Sequence, residues 1–294
     1  MPALSQSRFK AYSFLLLNAC LWGFAAPIIK YSLNFTTPAL FLFYRYLIAT
    51  FIFFPIFLLH RARTSPHAPK ANFKWLITLA LLGTPLTLLP LFYGLHATTS
   101  IEASILESSS PIFIILGSLF FLKETLKPRE WLGLFIAIGG TLVLALEPLL
   151  SGQPLTSLSL KGNLLVIISD LIWAAFLIYS KKIHLDPINL SFASFVISIP
   201  FFLVMVLVEK SGFSLAPAAV PGIVYMAIGG SIIAFWAYQE GQRLIEASEA
   251  AIFTYLKPAF SIPLSILWLR EPFTPLTMIA TIVIISGVDL SEKR

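Results

Sequence analysis

Charge is what this chain has least of. Only 12% of its 294 residues are Asp, Glu, Lys or Arg, while 57% are hydrophobic. A soluble domain carries about 25% charged residues, so a water-facing surface cannot be built from this composition. Cysteine is nearly absent too. The single Cys20 cannot close an intramolecular disulfide and reads as a small core residue. The chain also lacks an H-E-x-x-H zinc pair, the G-x-G-x-x-G and G-x-x-x-x-G-K-[ST] phosphate loops and an Asp-rich magnesium motif. An ATP-driven pump within this chain is thereby excluded, and an enzyme would lack its constellation. Glu246 and Glu249 form an isolated acidic pair with no obvious His partner. No loop resembles a selectivity filter. Neither a cofactor nor a metal site is expected.

What is present is length without charge. Mean hydropathy is +0.87, and long apolar runs recur. Runs of about 20 such residues read as membrane-spanning helices, because lipid leaves every backbone amide to be satisfied within the segment. They do not alternate, which argues against a barrel. Ten spans are expected, at about 11–33, 38–59, 73–97, 101–122, 130–146, 162–183, 187–208, 220–244, 247–269 and 275–290. The run between Lys10 and Lys30 is too long for a signal-peptide core, so it is read as the first span. With a cytoplasmic N-terminus, fourteen Lys and Arg fall inside and only Lys30, Lys161, Lys210 and Arg270 outside. That positive-inside bias supports an even number of spans and two cytoplasmic termini. The net charge of +6 therefore reads as cytoplasmic loops in a bilayer protein, not as a nucleic-acid surface. The expected location is the cell (inner, cytoplasmic) membrane, as a multi-pass monomer or homodimer.

The chain is also one unit used twice. The stretch from Ile101 to Thr141 nearly recurs 147 positions later, from Ser248 to Val288. Glu102 falls on Glu249, Pro111 on Pro258, Glu124 on Glu271 and Gly140 on Gly287. Matches among Ile, Leu and Phe are cheap in apolar sequence, whereas Glu, Pro and Gly matches at one ungapped offset are not. Near the start, Asn18…Trp22 echoes Ser169…Trp173, and Lys30 and Lys181 each follow their Trp by eight residues. Such repeats set the architecture. The division is 1–148, a linker at 149–161, and 162–294. Five spans per copy is odd, so the second copy enters the membrane from the other side. Inverted repeats enclosing a midplane site are a transporter signature.

At these residues the chain resembles the EamA-like branch of the drug/metabolite transporter superfamily. Tyr93-Gly-Leu, Glu102-Ala-Ser, Pro111 and Leu122-Lys-Glu124 are similar to the family's third-to-fifth helix pattern. Tyr238, Glu249-Ala-Ala, Tyr255-Leu-Lys-Pro258 and Leu269-Arg-Glu271 repeat it. Trp22-Gly23 is similar to the first-helix motif, and Arg45 sits where the family often has Arg. Lys257 departs from the pattern, as does Glu107. The resemblance implies a ten-helix basket around a central cavity, lined mainly by helices one, three, four, six, eight and nine. It further implies alternating access without ATP.

An ionisable group at membrane depth is unfavourable by about 2.5 to well over 10 kcal/mol, so each needs a partner or a wet cavity. Lys257 is expected to face the cavity, binding an anionic group or pairing with Glu107 or Asp170. Either carboxylate could instead couple transport to protons, with Glu240 a further candidate. Glu102 and Glu249 are assigned to helix N-termini, and Glu124 and Glu271 to anchors at span ends. Arg45 either snorkels to the outer interface or pairs with a neighbouring helix. His96 is read as a hydrogen-bonded helix-end residue. Trp22, Tyr93, Trp173, Trp236, Tyr238 and Tyr255 are candidates for an aromatic cavity wall, able to hold a planar, apolar or cationic substrate. Pro111 and Pro258, mid-span, are read as matching kinks and hinges. Gly139-Gly140 and Gly229-Gly230 are assigned to close helix approach. The expected function is a secondary transporter of small metabolites, an exporter of amino acids or related compounds, with or without proton coupling. A polytopic sensor or intramembrane enzyme is the alternative.

The topology is testable with single cysteines in a Cys20→Ser background. A cysteine in 149–161 should react with an impermeant thiol reagent from outside intact cells, and one in 64–70 should not. Labelling with the opposite sidedness would overturn the topology.

Overall fold

The computed structural model describes residues 2–63, 73–121, 127–152, 154, 157–183, 185–245, 253 and 256–292, and within them the chain is helical almost throughout. The first half comprises α1 (Pro2–Gly23), α2 (Ala25–Ser32), α3 (Pro38–Arg63), α4 (Phe73–Gly83), α5 (Pro85–Ala97), α6 (Ser100–Glu107), α7 (Ser110–Phe121) and α8 (Pro128–Ala145). A short α9 (Glu147–Leu150) lies in the expected linker. Next come α10 (Leu158–Ile183), α11 (Pro187–Glu209) and α12 (Val220–Tyr225). A π-helical stretch, Met226–Ile233, joins α12 to α13 (Ala234–Leu244). Last are α14 (Lys257–Leu264), a second π turn (Ser265–Leu269) and α15 (Pro275–Glu292).

Among the described residues, six helical segments are long and apolar enough to cross a membrane, and 131–145 and 275–287 are shorter apolar helices. The protein is an all-α polytopic membrane bundle. Its outer face carries Phe51, Phe135, Leu207 and Leu267 in exposed positions, as a lipid-facing surface requires. The expected fourth span is not a continuous rod, and the expected ninth lies partly outside the described residues. The fourth is broken between α6 and α7, and the described part of the ninth is α14 plus its π turn.

Helix pairing follows the repeat. The closest partners are α8 with α15, α5 with α10, α3 with α11, and α1 with α13. Small residues permit the tightest of these contacts. A Cβ built on Gly287 would stand 2.4 Å from the Ala137 amide nitrogen, and one on Gly140 would stand 3.0 Å from the Ile284 nitrogen. The adjacent Gly139 has nothing within 4 Å, so only one glycine of that pair serves close approach, contrary to the reading of both.

The correspondence extends to single hydrogen bonds. Asn18 Nδ2 donates to Ala234 O at 2.8 Å, and Ser169 Oγ donates to Thr87 O at 2.8 Å. Ser169 and Ala234 are the repeat counterparts of Asn18 and Thr87. Thr37 Oγ1 accepts from Leu40 N, and Asp186 Oδ1 accepts from Asn189 N, so α3 and α11 start on matched side-chain caps 149 positions apart.

Gly287→Ala should destabilise the folded protein by about 1–3 kcal/mol, because two backbones must separate to admit one methyl. Gly139→Ala, facing open space, should be neutral or slightly stabilising. Thermal unfolding of both variants in the same detergent checks this, and equal effects would overturn the packing account.

Candidate functional site

The backbone irregularities converge on one place. Between α4 and α5, Thr84 adopts φ −131° and ψ −79°, and Pro85 follows with no N–H to donate. Hydroxyls serve nearby carbonyls there: Thr84 Oγ1 donates to Ala80 O at 2.8 Å and Thr87 Oγ1 donates to Leu82 O at 2.5 Å. The repeat counterpart of Gly83-Thr84 is Gly230-Ser231, which lies in the Met226–Ile233 π-helix. There Trp22 Nε1 donates to Gly230 O at 3.0 Å from α1. Non-helical backbone at membrane depth is tolerated where it lines a cavity or is buried in protein, and π turns gather at functional sites.

Gly83, Thr84, Gly230 and Ser231 all line one internal cavity of about 80 Å³. Glu107 at the end of α6, Ser110 at the start of α7, Asp170 on α10 and Lys257 at the start of α14 also face it. Lys257 is held there by a close approach. A Cβ on Gly23 would come within 3.0 Å of the Lys257 carbonyl and 2.7 Å of Phe260 Cβ, so only glycine lets α1 lie against α14. The Lys257 Nζ stands 5.0 Å from the Trp22 ring centroid, in cation–π geometry. Glu107, Asp170 and Lys257 interact electrostatically, yet no ion pair within 4 Å forms among them. Asp170 Oδ2 is buried without a hydrogen-bond partner. The expected choice between a fixed ion pair and a ligand-facing lysine is thus answered by a loose charge cluster.

Trp22, Trp173 and Tyr238 form the aromatic wall. Trp22 stacks on Tyr238 with centroids 5.6 Å apart, and Trp173 meets Trp22 edge-on at 5.7 Å. Tyr238 backs this wall rather than lining the cavity. Three expected site residues lie elsewhere. Tyr93 donates its hydroxyl to Glu209, Trp236 packs edge-on against Phe14 at 5.1 Å, and Glu240 pairs with Arg243 at 2.9 Å one turn along α13. For Trp236 and Glu240 the physical reason is helical phase: on α13 they fall off the face that carries Tyr238. Tyr255 lies outside the described residues, as do Glu124 and Glu249.

The prolines also differ from expectation. Pro111 and Pro258 do not kink continuous helices; each sits in the first turn of α7 or α14, where a missing N–H leaves no bond unmade. The break at Ser108-Ser109 is what places Glu107 and Ser110 on the cavity.

Of the two expected places for Arg45, the structure shows the second, a pairing with a neighbouring helix. It neither snorkels nor reaches lipid; it is 4% exposed and lines the cavity. Its Nε donates to Ser231 Oγ at 2.7 Å. A charge seven residues into an apolar span was the available signal, and it left both places open. Burial of the whole side chain against α5 and the π-helix decides it.

A polar layer adjoins the lining residues Ile29 and Leu95. Lys30 Nζ donates to the carbonyls of Leu95, His96 and Thr98 at the end of α5. Glu271 accepts from Ser100 N at 2.9 Å, Ser100 Oγ at 2.8 Å and Ile101 N at 3.0 Å, capping α6. Glu102 lies in the first turn of α6, at the helix N-terminus expected of it. Thr99 is the cap, and Glu102 accepts from Thr98 Oγ1 and Asn163 Nδ2.

Broken helices thus surround a charged cavity with an aromatic wall. The sequence profile of the EamA-like transporter family matches residues 9–146 and 160–291, and the chain belongs to that family, within the drug/metabolite transporter superfamily. It is 26% identical, over 97% of this chain and 98% of the relative, to an uncharacterized transporter of Archaeoglobus fulgidus. It is 28% identical to the uncharacterized transporter YetK of Bacillus subtilis, over 76% and 69% of the two chains. With the uncharacterized inner membrane transporter YedA of Escherichia coli it shares 25% identity over 92% and 86%. A solved crystal structure superposes with a TM-score of 0.69 over 97% of this chain and 95% of that one, at 16% identity, a likeness of fold. The protein is thus a member of a transporter family.

Lys257→Met should lower the unfolding temperature in detergent, since two carboxylates are then left facing one another. Adding Glu107→Gln should restore part of that loss, with a coupling of about 0.5–3 kcal/mol. Strict additivity of the two changes would overturn the charge cluster.

Proposed function

We propose that the chain is a secondary carrier of a small metabolite, working by alternating access of two inverted five-helix repeats, in ten membrane crossings with both termini cytoplasmic. The observation that carries this reading is that repeat-equivalent irregular segments, Gly83-Thr84 and Gly230-Ser231, line one buried cavity. The matched pairings and hydrogen bonds of the two halves support the inverted repeat, divided as 1–148 and 162–294 with 149–161 between. In the proposed topology Lys30, Arg270 and Glu271 lie on the outer side. The polar layer there then seals the external end, and the carrier is closed to the outside.

Amino acids or related compounds fit a cavity that offers both carboxylates and cations beside an aromatic wall. Export is the proposed direction, in the cytoplasmic membrane. Proton coupling is assigned to Asp170 or Glu107, since each is a carboxylate without a tight ion-pair partner and both face the space a substrate would enter.

Counterflow in proteoliposomes over a mixed metabolite panel tests this. Exchange of at least one solute without a gradient is expected, and uphill movement should require an imposed pH gradient. Glu107→Gln or Asp170→Asn should abolish the gradient-driven component, by tenfold or more on the order of what general proton-transfer groups contribute, while leaving exchange measurable. Folded, inserted protein that exchanges nothing would overturn the carrier reading.

A further inference from the structure

Four acidic or basic side chains line the cavity: Arg45, Glu107, Asp170 and Lys257. Their repeat counterparts are Ser194, Thr254, Ala19 and Ser110. The α3-on-α11 register behind the first of these is fixed by the matched caps at Thr37 and Asp186. Each position is therefore occupied in the other half by a small uncharged residue, so the scaffold does not need the charge. Glu107, Asp170 and Lys257 sit within reach of one another. Arg45 is outside that cluster and carries no ion pair among the described residues.

A buried guanidinium without an anion is strongly unfavourable, and its surroundings are arranged to hold it rather than to neutralise it. Nε is fixed by Ser231 Oγ. The guanidinium carbon lies 5.2 Å from the Tyr46 ring centroid and 5.8 Å from that of Phe92. Gly230 leaves room beside it: a Cβ there would stand 3.7 Å from Nη2 and 2.5 Å from Met226 Cε. Nη1 is buried with no acceptor.

We infer that Arg45 is the specificity-determining residue of the cavity and receives the carboxylate of the substrate, which supplies the anion that the protein omits. The inference rests on the carrier reading and narrows its substrate to carboxylate-bearing solutes. A guanidinium held at Nε still presents its terminal N–H groups as a planar fork, which matches a carboxylate and not a neutral amide or alcohol. The cluster of Glu107, Asp170 and Lys257, with one carboxylate in excess, lies toward the Trp22 and Trp173 wall and receives the rest of the molecule.

The test uses full-length protein in lipid nanodiscs and matched acid–amide probes: butyrate with butyramide, and phenylacetate with phenylacetamide. Binding is read by thermal shift and by quenching of tryptophan fluorescence. The acids should bind about tenfold or more tightly than their amides, the range of a charge-assisted hydrogen bond. Arg45→Lys, which keeps the charge but not the fork, should lose most of that preference, and Arg45→Gln all of it. Ser231→Ala, which frees Nε, should weaken acid binding several-fold and serves if neither Arg45 variant folds. Equal binding of acid and amide by wild type would overturn the inference, as would no acid binding at all, or an unchanged preference in folded Arg45→Gln. Counterflow separates the two readings. Acid-selective binding without exchange would strike the carrier and leave the subsite. Exchange of a neutral solute, indifferent to Arg45→Gln, would do the reverse.

Discussion

A peptide group in hydrocarbon has no water to fall back on, and the rest of this structure depends on that constraint. Regular helices meet it internally, and so the lipid-facing parts of α3, α10 and α11 are unbroken over 23 to 26 residues. Each departure from regularity is served by a neighbour. Trp22 and Asn18 on α1 reach Gly230 O and Ala234 O; Ser169 on α10 reaches Thr87 O; Thr84 and Thr87 serve carbonyls just before their own break. The donors come from helices that flank the cavity, so the groups that permit irregular backbone also fix where the open space lies. Trp22 does three things at once: it satisfies Gly230, stacks on Tyr238 and offers its face to Lys257.

The scaffold was legible in the sequence because it is repeated and apolar. Pro and Glu at one ungapped offset gave the two halves, and runs without charge gave the helices. Chain breaks were harder. Gly83-Thr84-Pro85 carries a break signal, but in a strongly apolar run one Pro is compatible with a continuous helix. Ser108-Ser109-Ser110 marks the other break, where three short hydroxyl side chains compete with the helix for its own backbone groups. The ninth span was read as continuous from 247, and the chain through 246–252 is not among the described residues.

The site was legible by residue type and less so by position. Lys257, Glu107 and Asp170 stand out in apolar sequence, and all three reach the cavity. Aromatics gave a weaker signal, because rings also fill cores and meet lipid. Trp22 and Trp173 were found through their repeat pairing, while Tyr93 and Trp236 shared only proximity to a motif. Arg45 was noticed, but the choice between the interface and a neighbouring helix was left open. Its depth is set by how α3 packs on the π-helix, and no single-sequence pattern encodes that contact.

Duplication separates the two kinds of charge in this protein. The charges of the outer layer are retained in both halves: Lys30 with Lys181, Glu102 with Glu249, Glu271 with Glu124. A carrier needs this, since its two end-closed states must be near in free energy for a ligand of ordinary affinity to shift between them. On the proposed inverted repeat, equivalent residue types stand at opposite ends of the two halves. The cavity charges have no such duplicates. A solute bound at the pseudo-twofold centre is itself asymmetric, so residues that recognise it gain nothing from being repeated. On the proposed function, symmetric positions serve the fold and its closure, and the unmatched charges Arg45, Glu107, Asp170 and Lys257 serve what is carried.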